Sequence, residues 1–289
     1  MYSTPTLATR FARNTRVVRT DVPLTEDQLR AAAPSVFAEG KHESRSERYT
    51  YIPTIEVLRG LRKEGFEPFM VAQGASRIEG KAEFTKHLVR LRHAGQVQTR
   101  PEANEIILIN SHDGASSYQL LAGAFRFVCH NGLVVGDVVE DIRIPHRGDV
   151  QGEVIDGAFR VLDEFEVVDE HVAAMKTLRL DPPEEVAFAT AALALRFGER
   201  GVEESGGHRP APVTAEQLNE ARRIEDVGHD LWNTFQRVSE NVMRGGQAGR
   251  SVQGRRLRTR PVGSIDRGVS LNRALWMLAE EMRQIKAAS

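Results

Sequence analysis

The feature that most constrains this chain is a run of three strand-like segments between residues 66 and 110, separated only by turn and loop signals. The segments are Phe66 to Ile78, Ala82 to His93 and Glu105 to Asn110. Gly80-Lys81 supplies a hairpin turn and Gly95 to Asn104 a longer loop. Within the second segment Lys86, Leu88, Arg90 and Arg92 fall on one face, and His87, Val89, Leu91 and His93 on the other. This order implies an antiparallel β-meander with helices packed on one face.

Helical signals surround the meander. Thr25 can cap a short helix from Glu26 to Ala33, and Thr54 a helix that Gly65 stops. Tyr118 to His130 reads as strand or helix, with Phe125, Phe127 and Val128 favouring a strand at its end. From residue 152 the period becomes helical, interrupted at Pro182-Pro183 and in the Gly/Pro/Ser/Glu-rich stretch 198–212. A helix is expected over 214–244, opened by a Thr214/Gln217 capping box, and a closing helix over 270–287. The fold class expected is therefore α+β: an antiparallel meander with packed helices, followed by a mainly helical C-terminal half. Three regions follow: an N-terminal arm (1–48), an α+β sheet domain (49–150) and a mainly helical region (151–289) carrying a basic loop at 244–267.

Composition narrows the function classes. Cys129 is the one cysteine, so no intrachain disulfide can form, and the first residues have no apolar core of a signal peptide. No apolar run reaches the length of a membrane helix. The expectation is a cytoplasmic chain without membrane contact. The formal net charge is -1, yet its distribution is uneven. Acids dominate from Asp137 to Glu185, and arginines from Arg244 to Arg273. A local basic patch can bind nucleic acid whatever the total charge.

Two sets of cations are candidates for phosphate contact. Lys86, Arg90 and Arg92 share a strand face, which Arg77 on the neighbouring strand and Arg126 could extend. The competing reading is a solvated strand face. Arg255, Arg256, Arg258 and Arg260 form the second set, in a glycine-containing segment that could order on nucleic acid or pair with the acidic region. The densest polar cluster is Asn110-Ser111-His112-Asp113-Gly114, directly after a strand, with Asn131-Gly132 as a further turn. It suits a ligand loop, but the same residue types make ordinary turns. His112 with Asp113 and the scattered His87, His93, His130 and His146 could bind a metal or move a proton, yet no tight ligand spacing appears. Cys129 and His130 are adjacent and would point to opposite faces of a strand. Phosphate-loop, dinucleotide and serine-hydrolase motifs are absent. No catalytic residue, metal ligand or cofactor is assigned.

The blocks SERYTYIPT (46–54), FTKHLVRLR (84–92), ILINSHDGASSYQLLAGAFRFVCHNGLVVGD (107–137), IPHRG (144–148) and LWNTFQRVSENVMRGG (231–246), with LNRALWMLAE (271–280), resemble the plasmid and prophage family called domain of unknown function 932. That family has no agreed catalytic residues to carry over. His130 departs from the small polar residue expected there. The order of helix, meander and helices is also similar to phage single-strand annealing proteins of the Red-beta and RecT group, which bind in a basic groove and form rings or filaments. Together these imply a DNA-associated binding protein of mobile elements, with single-stranded DNA the favoured partner and homo-oligomers part of the analogy. The alternatives are a metal-dependent nuclease or hydrolase, and a protein-interaction factor countering host defence.

Overall fold

The structure is a computed structural model that describes residues 16–40, 51–74, 82–96, 102–114, 116–126, 131–135, 141–198 and 211–288. The chain divides into two compact units. The first comprises Met1–Phe127, Val139–Phe165 and Gly263–Ile265; the second comprises Val128–Val138, Glu166–Val262 and Asp266–Ser289.

The first unit is the expected meander. Strands β1 (Arg16–Arg19), β2 (Phe66–Gln73), β3 (His87–His93), β4 (Glu102–Asn110) and β5 (Tyr118–Arg126) lie side by side in chain order, each antiparallel to the next. The short strand β7 (Ile142–Ile144) also pairs with β5. Register in β3 and β4 sets Arg90 opposite Ile107 and Leu88 opposite Ile109. The expected alternation is present, but both faces of β3 are buried, so neither is the solvated face the pattern allowed.

Three helices belong to this unit. Helix α1 (Glu26–Ala32) is capped by Thr25 as expected, and the Gln28 side chain completes a capping box with it. Helix α2 (Thr54–Lys63) buries Ile55, Val57, Leu58 and Leu61. Its cap is Pro53 rather than Thr54, because the Thr54 hydroxyl is drawn into the protein interior. Helix α3 (Val150–Asp163) packs on α2, β4, β5 and β7. At that crossing a side chain on Gly157 would place its Cβ 2.6 Å from Leu120 Cδ1 and 3.2 Å from Ile142 Cγ2, so the helix rests on the sheet through a bare backbone.

The second unit holds strand β6 (Asn131–Val134), helices α4 (Phe165–Thr177, from its second residue), α5 (Pro182–Phe197), α6 (Ala215–Asn219) and α7 (Leu231–Arg244), hairpin β8 (Ala248–Arg250) and β9 (Arg256–Arg258), and helix α8 (Ile265–Ala287, from its second residue). The single helix expected over 214–244 is two. The Thr214/Gln217 capping box starts α6, but that helix ends at Asn219. Asp230 then caps a new helix by accepting the Asn233 N–H at 2.9 Å. Helix α7 is buried nearly all round, as a central helix must be: Leu231, Trp232, Phe235, Val238 and Val242 are apolar contacts, and Gln236, Arg237, Ser239, Glu240 and Asn241 are also buried. Trp232, Phe235, Phe188 and Trp276 make edge-on ring contacts there, which settles these aromatics as core. Among the described residues no helix is long and apolar enough to cross a membrane.

Candidate nucleic-acid interface and a buried histidine hub

The two candidate cation sets have opposite fates. Arg90 and Arg92 are 5% and 4% exposed and converge on one carboxylate, Glu105, itself 1% exposed. Arg90 donates to Glu105 Oε2 at 3.0 Å, and Arg92 donates through Nε and Nη2 to Oε1 at 2.9 and 2.8 Å. The Arg92 guanidinium also lies 4.3 Å from the Phe69 ring centre and 4.8 Å from that of Phe125, while Arg19 lies 4.4 Å over Phe125. Burial alone would push the Glu105 pKa up, but the charges of Arg90, Arg92 and Arg19 outweigh it and hold the carboxyl below its ordinary value. Two buried cations locked on a buried anion cannot reach a phosphate. Arg90 and Arg92 are thus corrected from surface contacts to the polar interior of the sheet. Arg126 is buried too, opposite Glu102 in the register of β4 and β5. Lys86 is half-buried just before β3, and Arg77 lies outside the described residues.

Arg255, Arg256, Arg258 and Arg260 are all exposed, as is Arg250. They do not lie on an irregular loop. The basic segment folds into the two-stranded antiparallel ribbon β8–β9, with Arg250 opposite Arg256 and Ala248 opposite Arg258. Gly254, at φ 75°, supplies the left-handed residue that the turn needs. Directly opposed residues share a face, so Arg250, Arg256 and Arg258 stand together, and Gly249 and Leu257 occupy the other side. That other side is docked: the Arg250 N–H donates to the Pro212 carbonyl at 2.9 Å, and a Cβ on Gly249 would come within 2.2 Å of that same oxygen. Gln217 Nε2 donates to the Ala248 carbonyl, and Gln247 and Thr259 exchange backbone and side-chain hydrogen bonds at the ribbon's foot. Two guanidiniums use one N–H each on nearby carbonyls, Arg250 on Gly254 at 3.2 Å and Arg258 on Gly246 at 2.9 Å. Among the described residues none of Arg250, Arg255, Arg256, Arg258 and Arg260 forms a salt bridge.

Close to that foot lies a cluster the sequence did not signal. Arg223 grips Glu240 with two bonds of 2.8 and 2.7 Å and also meets Asp226, while Arg244 pairs with Glu240 one turn along α7. Arg222 donates to the Gly245 carbonyl, next to the Gly246 carbonyl that Arg258 takes. A second buried pair, Arg237 with Glu185 at 2.9 Å, is joined by His229.

The polar cluster after β4 is both turn and hub. Ser111 Oγ accepts the Ser116 N–H at 2.8 Å and closes the turn, in which Gly114 has φ 78°. Asp113 is half-buried and Gly114 exposed. Asn110 and His112 point inward to the Thr54 hydroxyl. Thr54 Oγ1 lies 2.9 Å from His87 Nε2, 3.1 Å from His112 Nε2, 3.1 Å from Asn110 Nδ2 and 3.3 Å from the Tyr118 hydroxyl. These are more partners than one hydroxyl can serve equally, and the proton inventory assigns them. Asn110 Nδ2 can only donate. His87 Nδ1 faces the Thr85 carbonyl at 3.4 Å and the Ser35 hydroxyl at 2.9 Å, so a proton there leaves Nε2 to accept from Thr54. His112 then donates through Nε2, and Tyr118 donates to the Ile52 carbonyl. Burial pushes the His87 pKa down to about 3 and the His112 pKa down to about 4, with the neighbouring imidazoles adding to the effect, so both rings are neutral near pH 7. The His146 ring lies 6.3 Å from that of His112 and 5.1 Å from that of Tyr118. Among the described residues no group of three or more His, Cys, Asp or Glu is arranged to hold a metal ion. Asn131 and Gly132 begin β6, and Cys129 and His130 lie outside the described residues.

Two Escherichia coli K12 proteins, UPF0380 protein YafZ and UPF0380 protein YfjQ, are each 51% identical to this chain over 276 residues, covering 96% of it and 97% of their own length. No solved structure matches it. Residues 41–276, which include β2 to β9 and the first half of α8, match the family described as domain of unknown function (DUF932), and the chain belongs to that family.

Proposed function

We propose that this protein binds DNA through the arginine-lined ribbon β8–β9. The observation that carries the reading is the exposure of Arg250, Arg255, Arg256, Arg258 and Arg260 without a carboxylate partner among the described residues. Arg90 and Arg92 are neutralised internally at Glu105, and Arg223 and Arg244 at Glu240. A cluster left unpaired on a braced support keeps its charge available to phosphates, where counterion release drives binding. With a formal net charge of -1, attraction comes from this local field rather than from the whole molecule.

Fluorescence anisotropy with labelled oligonucleotides at several salt concentrations tests the proposal. The logarithm of the binding constant should fall linearly with the logarithm of salt, with a slope of about -0.9 for each phosphate contacted on a duplex and about -0.7 on a single strand. Replacing Arg250, Arg255, Arg256, Arg258 and Arg260 by Gln should weaken binding and flatten that slope. An intact protein that binds no oligonucleotide at low salt would end the proposal.

A further inference from the structure

The ribbon has a definite shape, and the shape selects among nucleic acids. Resting on the DNA-binding reading above, we infer that β8–β9 is built to enter the major groove of a DNA duplex, in preference to a single strand. Neighbouring strands stand about 4.8 Å apart, and with side chains such a pair fits a major groove about 12 Å wide but not a minor groove about 6 Å wide. Arg250, Arg256 and Arg258 all project from one face, with Arg250 directly across from Arg256. Arg256 and Arg258 are two residues apart on their strand, roughly 7 Å, or about two base-pair steps at 3.4 Å each. This places guanidiniums where they can take base edges as well as phosphates. Arginine is the side chain whose paired N–H groups match the two acceptors of guanine in that groove.

The ribbon's back is equally informative. Gly249 lies so close to the Pro212 carbonyl that any side chain would lift the strand away. Hydrogen bonds from Gln217 and Arg250 hold the same edge. A braced ribbon presents its arginines in a fixed array, which suits a regular duplex better than a pliable single strand. Single-strand binders rely on exposed aromatic rings as stacking platforms. Among the described residues the exposed large hydrophobic side chains are Val22, Ile224, Val227, Val252, Met277 and Ile285, none of them aromatic. Double-stranded RNA is a poor fit, because its major groove is too deep and narrow for side chains to read.

The test measures affinities of the full chain for three probes of equal length and sequence: duplex DNA, single-stranded DNA and duplex RNA. Duplex DNA should bind at least about tenfold more tightly than either alternative, and methyl green, which fills the major groove, should compete where the minor-groove ligand netropsin does not. Arg250→Lys, Arg256→Lys and Arg258→Lys combined should keep the salt dependence while losing sequence discrimination, since lysine carries the charge but not the paired donors. Gly249→Val, with every arginine intact and folding checked by circular dichroism, should weaken duplex binding at least about fivefold. Equal or tighter binding to the single strand, or competition by netropsin alone, overturns the groove assignment and leaves the binding reading in place. Failure to bind any probe at low salt removes both.

Discussion

Removing the charge of Glu105 should strongly destabilise the first unit. The perturbation is Glu105→Gln, nearly the same shape with one anion lost. Arg90 and Arg92, 5% and 4% exposed, then lose the carboxylate that both of them grip. Removing one partner of a buried ion pair costs about 3–5 kcal/mol. For a unit of this size that corresponds to a fall in melting temperature of roughly 6–20 °C. A control lies in the same unit: Arg59 bonds Glu26 at 2.7 Å, but their side chains are 45% and 36% exposed. Glu26→Gln should cost at most about 1 kcal/mol, and less in concentrated salt. Thermal and urea unfolding of both variants, at low salt and in 1 M sodium chloride, measures the difference. The Glu105→Gln deficit should persist in high salt because solvent ions do not reach the site. Replacing Arg90 and Arg92 by Met together with Glu105→Leu should recover part of the loss, with Arg19 the buried cation that remains beside the site. A Glu105→Gln loss below about 1 kcal/mol would refute the account of a neutralised interior.

Three further outcomes follow from the first unit. Thr54→Ala strands buried donors and acceptors on His87, His112 and Asn110 and should cost about 1–3 kcal/mol in thermal unfolding, with Thr54→Ser regaining most of it. His87 and His112 are held neutral by burial, so the unfolded chain binds protons more readily than the folded one below its own pKa of 6.5. Stability should therefore fall as pH drops below about 6.5, by roughly 2 kcal/mol for each ring at pH 5; a flat stability profile from pH 7 to 5 contradicts this. Gly157→Ala drives a methyl group against the side chains of Leu120 and Ile142, and with the roughly 1 kcal/mol that alanine gains in a helix interior set against the crowding, urea unfolding should show a net loss of at most about 2 kcal/mol.

The meander, α1 and the start of α6 are legible in the sequence because their signals are local: apolar runs between turn residues, a cap at Thr25 and a four-residue capping box at Thr214 to Gln217. What escaped was decided across the chain. The alternation of Arg90 and Arg92 assigns them a shared face but says nothing of whether that face meets water; the answer depended on Glu105 arriving from the next strand. Thr54 has the chemistry of a cap, and tertiary partners from β3, β4 and β5 outcompeted that local role. The break between α6 and α7 is marked by Gly228 and Asp230, which the strong pattern on either side concealed. The ribbon β8–β9 leaves no strand signal in the sequence because its short strands carry arginines and glycine instead of alternating apolar residues. Its pairing is made by backbone hydrogen bonds and by docking on Pro212, neither of which leaves a composition signal.

The Thr54 hydroxyl also bears on the order in which the first unit can assemble. Its contacts with His87, Asn110, His112 and Tyr118 span 33, 56, 58 and 64 residues of chain. None can form until the strands that carry them have closed on α2, so this knot of protons is tied late, after the loops around it have lost their freedom. Bonds made after the rate-limiting step act on the exit from the native state rather than the approach to it. The hub is then expected to act as a latch, so that its loss should speed the opening of the assembled sheet more than it slows its formation.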